Sequence, residues 1–142
     1  MRPRTDRKTS QRMAGIRQRD TEAELIVRSI LHRAGLRFRT NARDLPGSPD
    51  IVNRKRRWAV FVHGCFWHSH PRCPRATVPK RNCEFWLDKL RRNRLRDRRR
   101  LRELLRLGYR AVVVWECEAE ERAQKVENRL LAVLASGARP DR

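Results

Sequence analysis

The segment His63-Gly64-Cys65-Phe66-Trp67-His68-Ser69-His70-Pro71-Arg72-Cys73 holds three of the chain's four histidines and two of its four cysteines. Imidazole and thiolate are the ligands of a tetrahedral zinc site, and the spacing Cys65-x4-His70-x2-Cys73 suits a tight metal knuckle. Cys117, just past a second apolar run, would complete a Cys3His set, with Cys83 as its competitor for the fourth position. One zinc needs fewer histidines than the segment offers. The surplus points to a reaction centre beside the metal, because a neutral imidazole can take up a proton near neutral pH.

Three carboxylates bear on that chemistry. Asp50 follows the turn Pro46-Gly47-Ser48-Pro49 and opens an apolar run. Metal-dependent nucleases place a carboxylate at such a point so that Mg²⁺ meets the scissile phosphate, although aspartate is also an ordinary turn residue. Asp97 and Asn93 fall in the middle of the stripe Trp86, Leu90, Asn93, Asp97, Leu101 and Leu104, which share one face at about 3.6 residues per turn. A carboxylate in a packed stripe needs a partner, and His63 or His68 would serve. Glu24, three residues after Thr21, reads first as the glutamate of a capping box.

Charge narrows the partner. Lys and Arg number 36 against 16 Asp and Glu, a net charge of +20. Such an excess opposes compaction unless an anionic partner offsets it, and nucleic acid is the leading choice. Lys89, Arg91, Arg92, Arg96, Arg98, Arg99 and Arg102 crowd the long helical segment opposite its apolar stripe, with few acids between them. A phosphate-contacting surface is expected there. No apolar run reaches membrane-spanning length and no hydrophobic signal region follows the basic start, so the expectation is a cytoplasmic, nucleoid-associated protein with no membrane partner. In that reducing setting the cysteines read as metal ligands or free thiols.

The elements that must position these residues follow from pattern. Residues 1–19 are polar and basic, a flexible arm whose larger apolar side chains are Met13 and Ile16. A single domain is expected over 20–136 and a tail over 137–142. Thr21 opens a helix to about Ala34 that Gly35 stops, with Ala23, Ile26, Val27, Ile30 and Ala34 as its apolar stripe. Leu36–Arg39 alternates like a short strand. Asp50–Val52 and Trp58–Val62 read as strands joined through Arg54–Arg57. Asn82 can cap a helix from about Cys83 to Leu107, closed by Gly108. Arg110–Trp115 is a second buried strand, and a last helix over about Glu120–Leu134 is expected to bury Ala123, Val126, Leu130 and Val133. The order implies an α/β sheet with helices on both faces.

Taken together, Asp20-Thr21-x-x-Glu24, Leu45-Pro46-Gly47-x-Pro49-Asp50, Phe61-x-His63-Gly64-Cys65-Phe66-Trp67-His68-x-His70, Glu84-Phe85-Trp86-Leu87-x-Lys89 with Asn93 and Arg96-Asp97, and Val114-Trp115-Glu116-Cys117 resemble the very short patch repair (Vsr) DNA mismatch endonucleases. The likeness runs in order from about Met13 to Cys117. It implies a restriction-endonuclease-like fold of the PD-(D/E)xK type, with a central mixed sheet, flanking helices and a structural zinc. It also implies Mg²⁺-dependent nicking of double-stranded DNA beside the thymine of a T·G mismatch left by deamination of 5-methylcytosine. By the resemblance, Asp50 holds Mg²⁺ with the main-chain carbonyl of Val62 and water. His68 is the general base, His63 pairs with Asp97 and helps position the phosphate, and Glu24 acts in the outer shell through water. Cys65, His70, Cys73 and Cys117 bind zinc. Met13, Phe66 and Trp67 wedge into the base stack, a few kcal/mol of unstacking that is lower at a mismatch, while Lys89 and Asn93 read the mismatched bases. The implied protein is a monomer that can meet other mismatch-repair proteins.

Two rivals remain: a nuclease of the same fold with another DNA target, and a non-catalytic zinc-stabilised nucleic-acid-binding protein. The second gives no reason for Asp50, His68 and Asp97 to occur together.

Overall fold

The computed structural model describes residues 20–135. The expected arm, Met13 included, and the expected tail lie outside the described residues. Helix α1 (Glu22–Arg33) starts where Thr21 Oγ1 accepts the Glu24 N–H at 3.2 Å, while the Glu24 carboxylate accepts the Asp20 N–H at 3.0 Å. This is a capping box shifted by one residue on its return bond. At its other end Leu36 N–H reaches the Leu31 carbonyl and Gly35 N–H the His32 carbonyl, with Gly35 at φ +77°. That pair of bonds is a Schellman closure, which needs a left-handed residue. The buried stripe is Ala23, Val27, Ile30 and Leu31; Ala34, expected to join it, is only half-buried.

The sheet has four strands in the order β1 (Arg39–Thr40), β2 (Ile51–Asn53), β3 (Trp58–His63), β4 (Arg110–Trp115). β1 and β2 pair antiparallel, β2 and β3 antiparallel through the turn at 54–57, and β3 and β4 parallel. The short edge strand falls at Arg39–Thr40 and not over Leu36–Arg39, because Leu36 is spent on closing α1. The parallel pair requires a crossover, and helix α2 (Cys83–Arg106) supplies it.

Helices cover both faces. On one face α1, α3 (Glu116–Glu121) and α4 (Ala123–Leu130) bury Ile30, Ile51, Trp58, Val60, Val114 and Leu130. On the other, α2 lays Leu104 on Val52, Ala59 and Phe61. Leu104 is fully buried there. Leu104→Ala is expected to destabilise the fold by about 2–5 kcal/mol in urea unfolding, from lost transfer and the cavity left behind.

Two expectations fail at helix ends. Asn82 precedes α2 in the left-handed region (φ 58°, ψ 39°) and makes no side-chain cap bond, so the first turn is not closed by its amide. The last helix is not continuous: it breaks at Arg122 and widens into a π turn over Leu131–Ala135. Glu118 accounts for the early start, since it accepts the Trp115 N–H at 3.0 Å and holds Arg129 at 3.0 Å. With the break, Ala123 turns outward and Ala119 and Leu134 take up burial, while Val133 is half-buried.

Candidate active site and metal cluster

Register builds the site. The parallel pairing sets Val62 opposite Val114 and His63 opposite Trp115, so both chains leave the sheet at one end and side by side. The first runs into Gly64-Cys65 and the second into Glu116-Cys117. A compact turn follows β3: His68 N–H bonds the Gly64 carbonyl, and His70 N–H bonds the Cys65 carbonyl at 2.9 Å. Glu116 fastens that turn to the sheet end by accepting the Cys65 N–H at 3.0 Å.

Cys65, His70, Cys73 and Cys117 converge. Their donor atoms all lie within 4.8 Å of one another, with Cys117 Sγ 3.4 Å from His70 Nδ1 and 3.9 Å from Cys73 Sγ. The fourth position thus goes to Cys117. Cys83 stands exposed at the start of α2 and outside this group. Burial pushes the Cys65 thiol far up, and the neighbouring thiols add to it; burial also raises Cys117. Crowded thiols that resist ionising on their own are what a cation of charge two would stabilise as thiolates. Soft sulfur and imidazole donors in this number could bind a metal ion.

Across the Trp115 ring lies the second group. His68 Nδ1 sits 2.6 Å from Asp97 Oδ2. The His63 ring stacks flat on His68, with centroids 3.8 Å apart and planes within 5°. The expected pairing of His63 with Asp97 is therefore corrected: Asp97 reaches up from α2 to the histidine of the turn, while His63, fixed by β3, lies against Trp115. A carboxylate only accepts, so His68 donates from Nδ1 and keeps the Nε2 lone pair free. Burial first, then the nearby His68, lowers His63 to about 3, so it stays neutral.

Asp50 is delivered by the turn before β2. Gly47 has φ +78°, and a Cβ there would stand 3.0 Å from the Phe61 ring, so the backbone needs glycine on both counts. One Asp50 oxygen accepts the Val62 N–H at 2.7 Å. Burial raises the Asp50 carboxyl to about 7 against the pull of that bond, and the charge of Glu24 adds to the rise. Glu24 is 2 % exposed and faces the same cleft while serving α1 as a cap. The bland and the chemical readings of Glu24 are compatible.

The cleft has a volume of about 700 Å³. Glu24, Asp50, Val62, His63, His68 and Asp97 line it, as do Phe66, Trp67, Lys89 and Asn93. The two aromatics differ. Phe66 is 8 % exposed and packs edge-on against Trp86 at 5.6 Å, so it belongs to a small core with Leu90, and insertion into DNA would require it to leave. Trp67 remains partly open at the cleft. Asn93 donates to the Trp67 carbonyl at 3.2 Å and accepts from Arg96 at 3.2 Å. The cations of α2 do not all face away from its apolar stripe: Lys89, Arg96, Arg98 and Arg100 flank Asp97 on both sides and line the cleft.

Sequence reasoning gave no role to Trp115, Glu116 or Arg100. Arg100 was legible as three residues beyond Asp97. Glu116 had only its adjacency to Cys117, and its bond to Cys65 crosses the sheet end.

A buried carboxylate, a histidine held by an aspartate and a cationic rim in one cleft are the equipment of a DNA endonuclease, and relatives of the chain carry that class in their names. Residues 3–75 match the family model described as DNA mismatch endonuclease Vsr. The DNA mismatch endonuclease Vsr of Escherichia coli is 42% identical over 121 residues, 85% of this chain and 77% of that protein. The Type II nicking enzyme V.XorIIP of Xanthomonas oryzae pv. oryzae is 45% identical over 82% of this chain and 88% of its own length. V.NmeAIP of Neisseria meningitidis, also a Type II nicking enzyme, is 41% identical over 84% of each chain. The chain belongs to the DNA mismatch endonuclease Vsr family, and it is a DNA endonuclease. Among the described residues no helix is long and apolar enough to cross a membrane.

Proposed function

We propose that the protein is a Mg²⁺-dependent endonuclease that nicks one strand of double-stranded DNA beside the thymine of a T·G mismatch. The observation that carries this is the His68–Asp97 pair sharing one cleft with the half-buried Asp50 carboxylate. The raised Asp50 carboxyl, with Glu24 beside it, fits a hard divalent cation, which oxygen ligands bind and which relieves the like charge. Asp50, the Val62 carbonyl and water would hold it. When bound, Mg²⁺ would neutralise charge building on the phosphate.

The chain's own residues do the rest. His68 Nε2 takes the proton of the attacking water, and Asp97 holds the ring in that tautomer and stabilises the imidazolium that forms. His63, neutral and stacked beneath, donates to or positions a phosphate oxygen. Glu24 orders water at the outer edge. Arg96, Arg98 and Arg100 would meet backbone phosphates. Lys89 and Asn93 would read the mismatched pair, and Trp67, the accessible ring, would wedge beside it, with Met13 and Phe66 joining only on DNA. The sheet and crossover helix support a restriction-endonuclease-like fold of the PD-(D/E)xK type formed by a single nuclease domain over 20–136. The expected setting is a monomer in the prokaryotic cytoplasm, near the nucleoid and other mismatch-repair proteins.

The test is nick mapping on end-labelled duplexes with Mg²⁺ and with chelator. A nick on the thymine strand of the T·G duplex, absent with chelator, is the expected result. Equal nicking of the matched duplex would move the assignment to another DNA target.

The four-donor cluster is proposed to hold structural Zn²⁺. Purified protein should carry about one zinc per chain, and Cys65→Ser should lose it and lower the thermal midpoint by about 10 °C. The drop is smaller than in a zinc finger because the sheet core is built independently of the cluster. A Cys65→Ser protein with an unchanged midpoint would show that the cluster is not a structural staple.

A further inference from the structure

The last residue of β4 and the two that follow it each hold a different part of the site. Cys117 is in the four-donor cluster, Glu116 holds the Cys65 N–H, and Trp115 lies between the two groups of histidines. The indole stacks on His70, a member of the cluster, with centroids 4.2 Å apart and planes within 13°. Its other contact is edge-on to His63 at 5.3 Å, forced by the register that sets His63 opposite Trp115. His63 in turn stacks on His68 at 3.8 Å, and His68 bonds Asp97. The rings form one unbroken row from the cluster to the proposed general base.

We propose that Trp115 is a positioning residue: it transmits the geometry of the Cys/His cluster through His63 to His68 and so sets the direction of the His68 lone pair. This rests on the proposed role of His68. His63 has no hydrogen bond among those of the described side chains that would fix its ring, whereas three rings confine it: His68 face to face, Trp115 edge-on, and Phe61 tilted at 5.8 Å. A plane held only by stacking slides when one neighbour is lost, and a misplacement of about 1 Å at a reacting group lowers rate about 100-fold. The cluster shares no residue with the His63, His68 and Asp97 group; the turn backbone that joins them fixes the course of the chain, and the Trp115 ring bears on the plane of His63.

Trp115→Leu removes the aromatic faces while keeping an apolar side chain; Trp115→Phe keeps a smaller ring. Both are compared with unchanged protein at saturating zinc, with bound zinc and folded fraction measured for each. The expected result for Trp115→Leu is a kcat lower by about 10- to 100-fold with KM for the nicked duplex within about twofold, and recovery of most of that loss in Trp115→Phe. Independently of any nicking, ¹⁵N-histidine spectra of the DNA-free protein should shift or broaden the His63 and His68 signals in Trp115→Leu, with His32, which packs on Phe38 in another part of the fold, unmoved. An unchanged kcat, a loss confined to KM, or a loss that scales only with bound zinc or folded fraction would overturn the proposal, as would unchanged His63 and His68 signals. If unchanged protein fails to nick the T·G duplex, the functional reading falls, while the histidine spectra still decide the positioning role.

Discussion

Asp50→Asn is expected to lower nicking by about a thousandfold or more while leaving mismatch binding within a few-fold, and to make the metal-free protein more stable at about pH 8. The two effects share a cause. Asparagine keeps an acceptor for the Val62 N–H but cannot supply the charge a divalent cation needs. The stability sign follows from the direction of the shift. The Asp50 carboxyl stands at about 7 in the fold against 3.8 outside it, so the native state holds that proton more tightly than the unfolded chain. Stability therefore falls as pH rises from about 4 to about 7, and the full cost is present above that window. Thermal midpoints of the variant and the unchanged protein should converge near pH 4 and separate near pH 8, with the variant higher. Equal midpoints at both values would mean that Asp50 is not a burdened carboxylate. Nicking at limiting Mg²⁺ should fall about tenfold per pH unit below about 7 and recover as Mg²⁺ is raised, because proton and metal compete for one group.

His68→Ala is expected to reduce kcat by about 10²- to 10⁴-fold, the usual scale of a positioned general base, with little change in DNA affinity. Asp97→Asn leaves the imidazole present but lets it choose the wrong tautomer, and a loss of about tenfold or more should follow. The informative measurement is the double variant in single-turnover kinetics. Asp97 acts through the 2.6 Å bond to His68, so once His68 is gone, removing Asp97 should cost almost nothing further. Losses that multiply would instead assign Asp97 a separate action through His63.

How much of this could be read in advance differed by the range of the interaction. Local chemistry was legible: Thr21 and Glu24 cap α1, Gly35 ends it, and the turn at 54–57 joins β2 to β3. The face of α2 carrying Leu90, Asn93, Asp97 and Leu104 followed from its period, as did the convergence of Cys65, His70 and Cys73. What escaped depends on contacts across the fold. Two histidines five residues apart cannot be ranked as partners of Asp97 until the turn after His63 is folded. Trp86, twenty residues along the chain, meets both rings, and their contacts in that cluster leave Phe66 buried and Trp67 partly open. The break at Arg122 lies in a stretch with ordinary helical composition, and the competing bonds come from Glu118 to Trp115 and Arg129. The choice of Cys117 over Cys83 was by contrast legible from its place just past a strand end, and the parallel register carries it to the loop.

Helix α2 is 24 residues of unbroken α-helix, a rod of about 36 Å. Its first turns sit in the aromatic cluster, its middle presents Asp97, and its last turns are anchored by Leu104 under the sheet. About 36 Å is also close to one full turn of duplex DNA. The rod thus works as a gauge: the end proposed to contact the bases and the carboxylate that bonds His68 are separated by a fixed number of helical turns. Inserting a single residue between Lys89 and Asp97 would rotate one against the other by about 100°. On the proposed function, the place of the cut relative to the recognised base is written in the spacing along one helix.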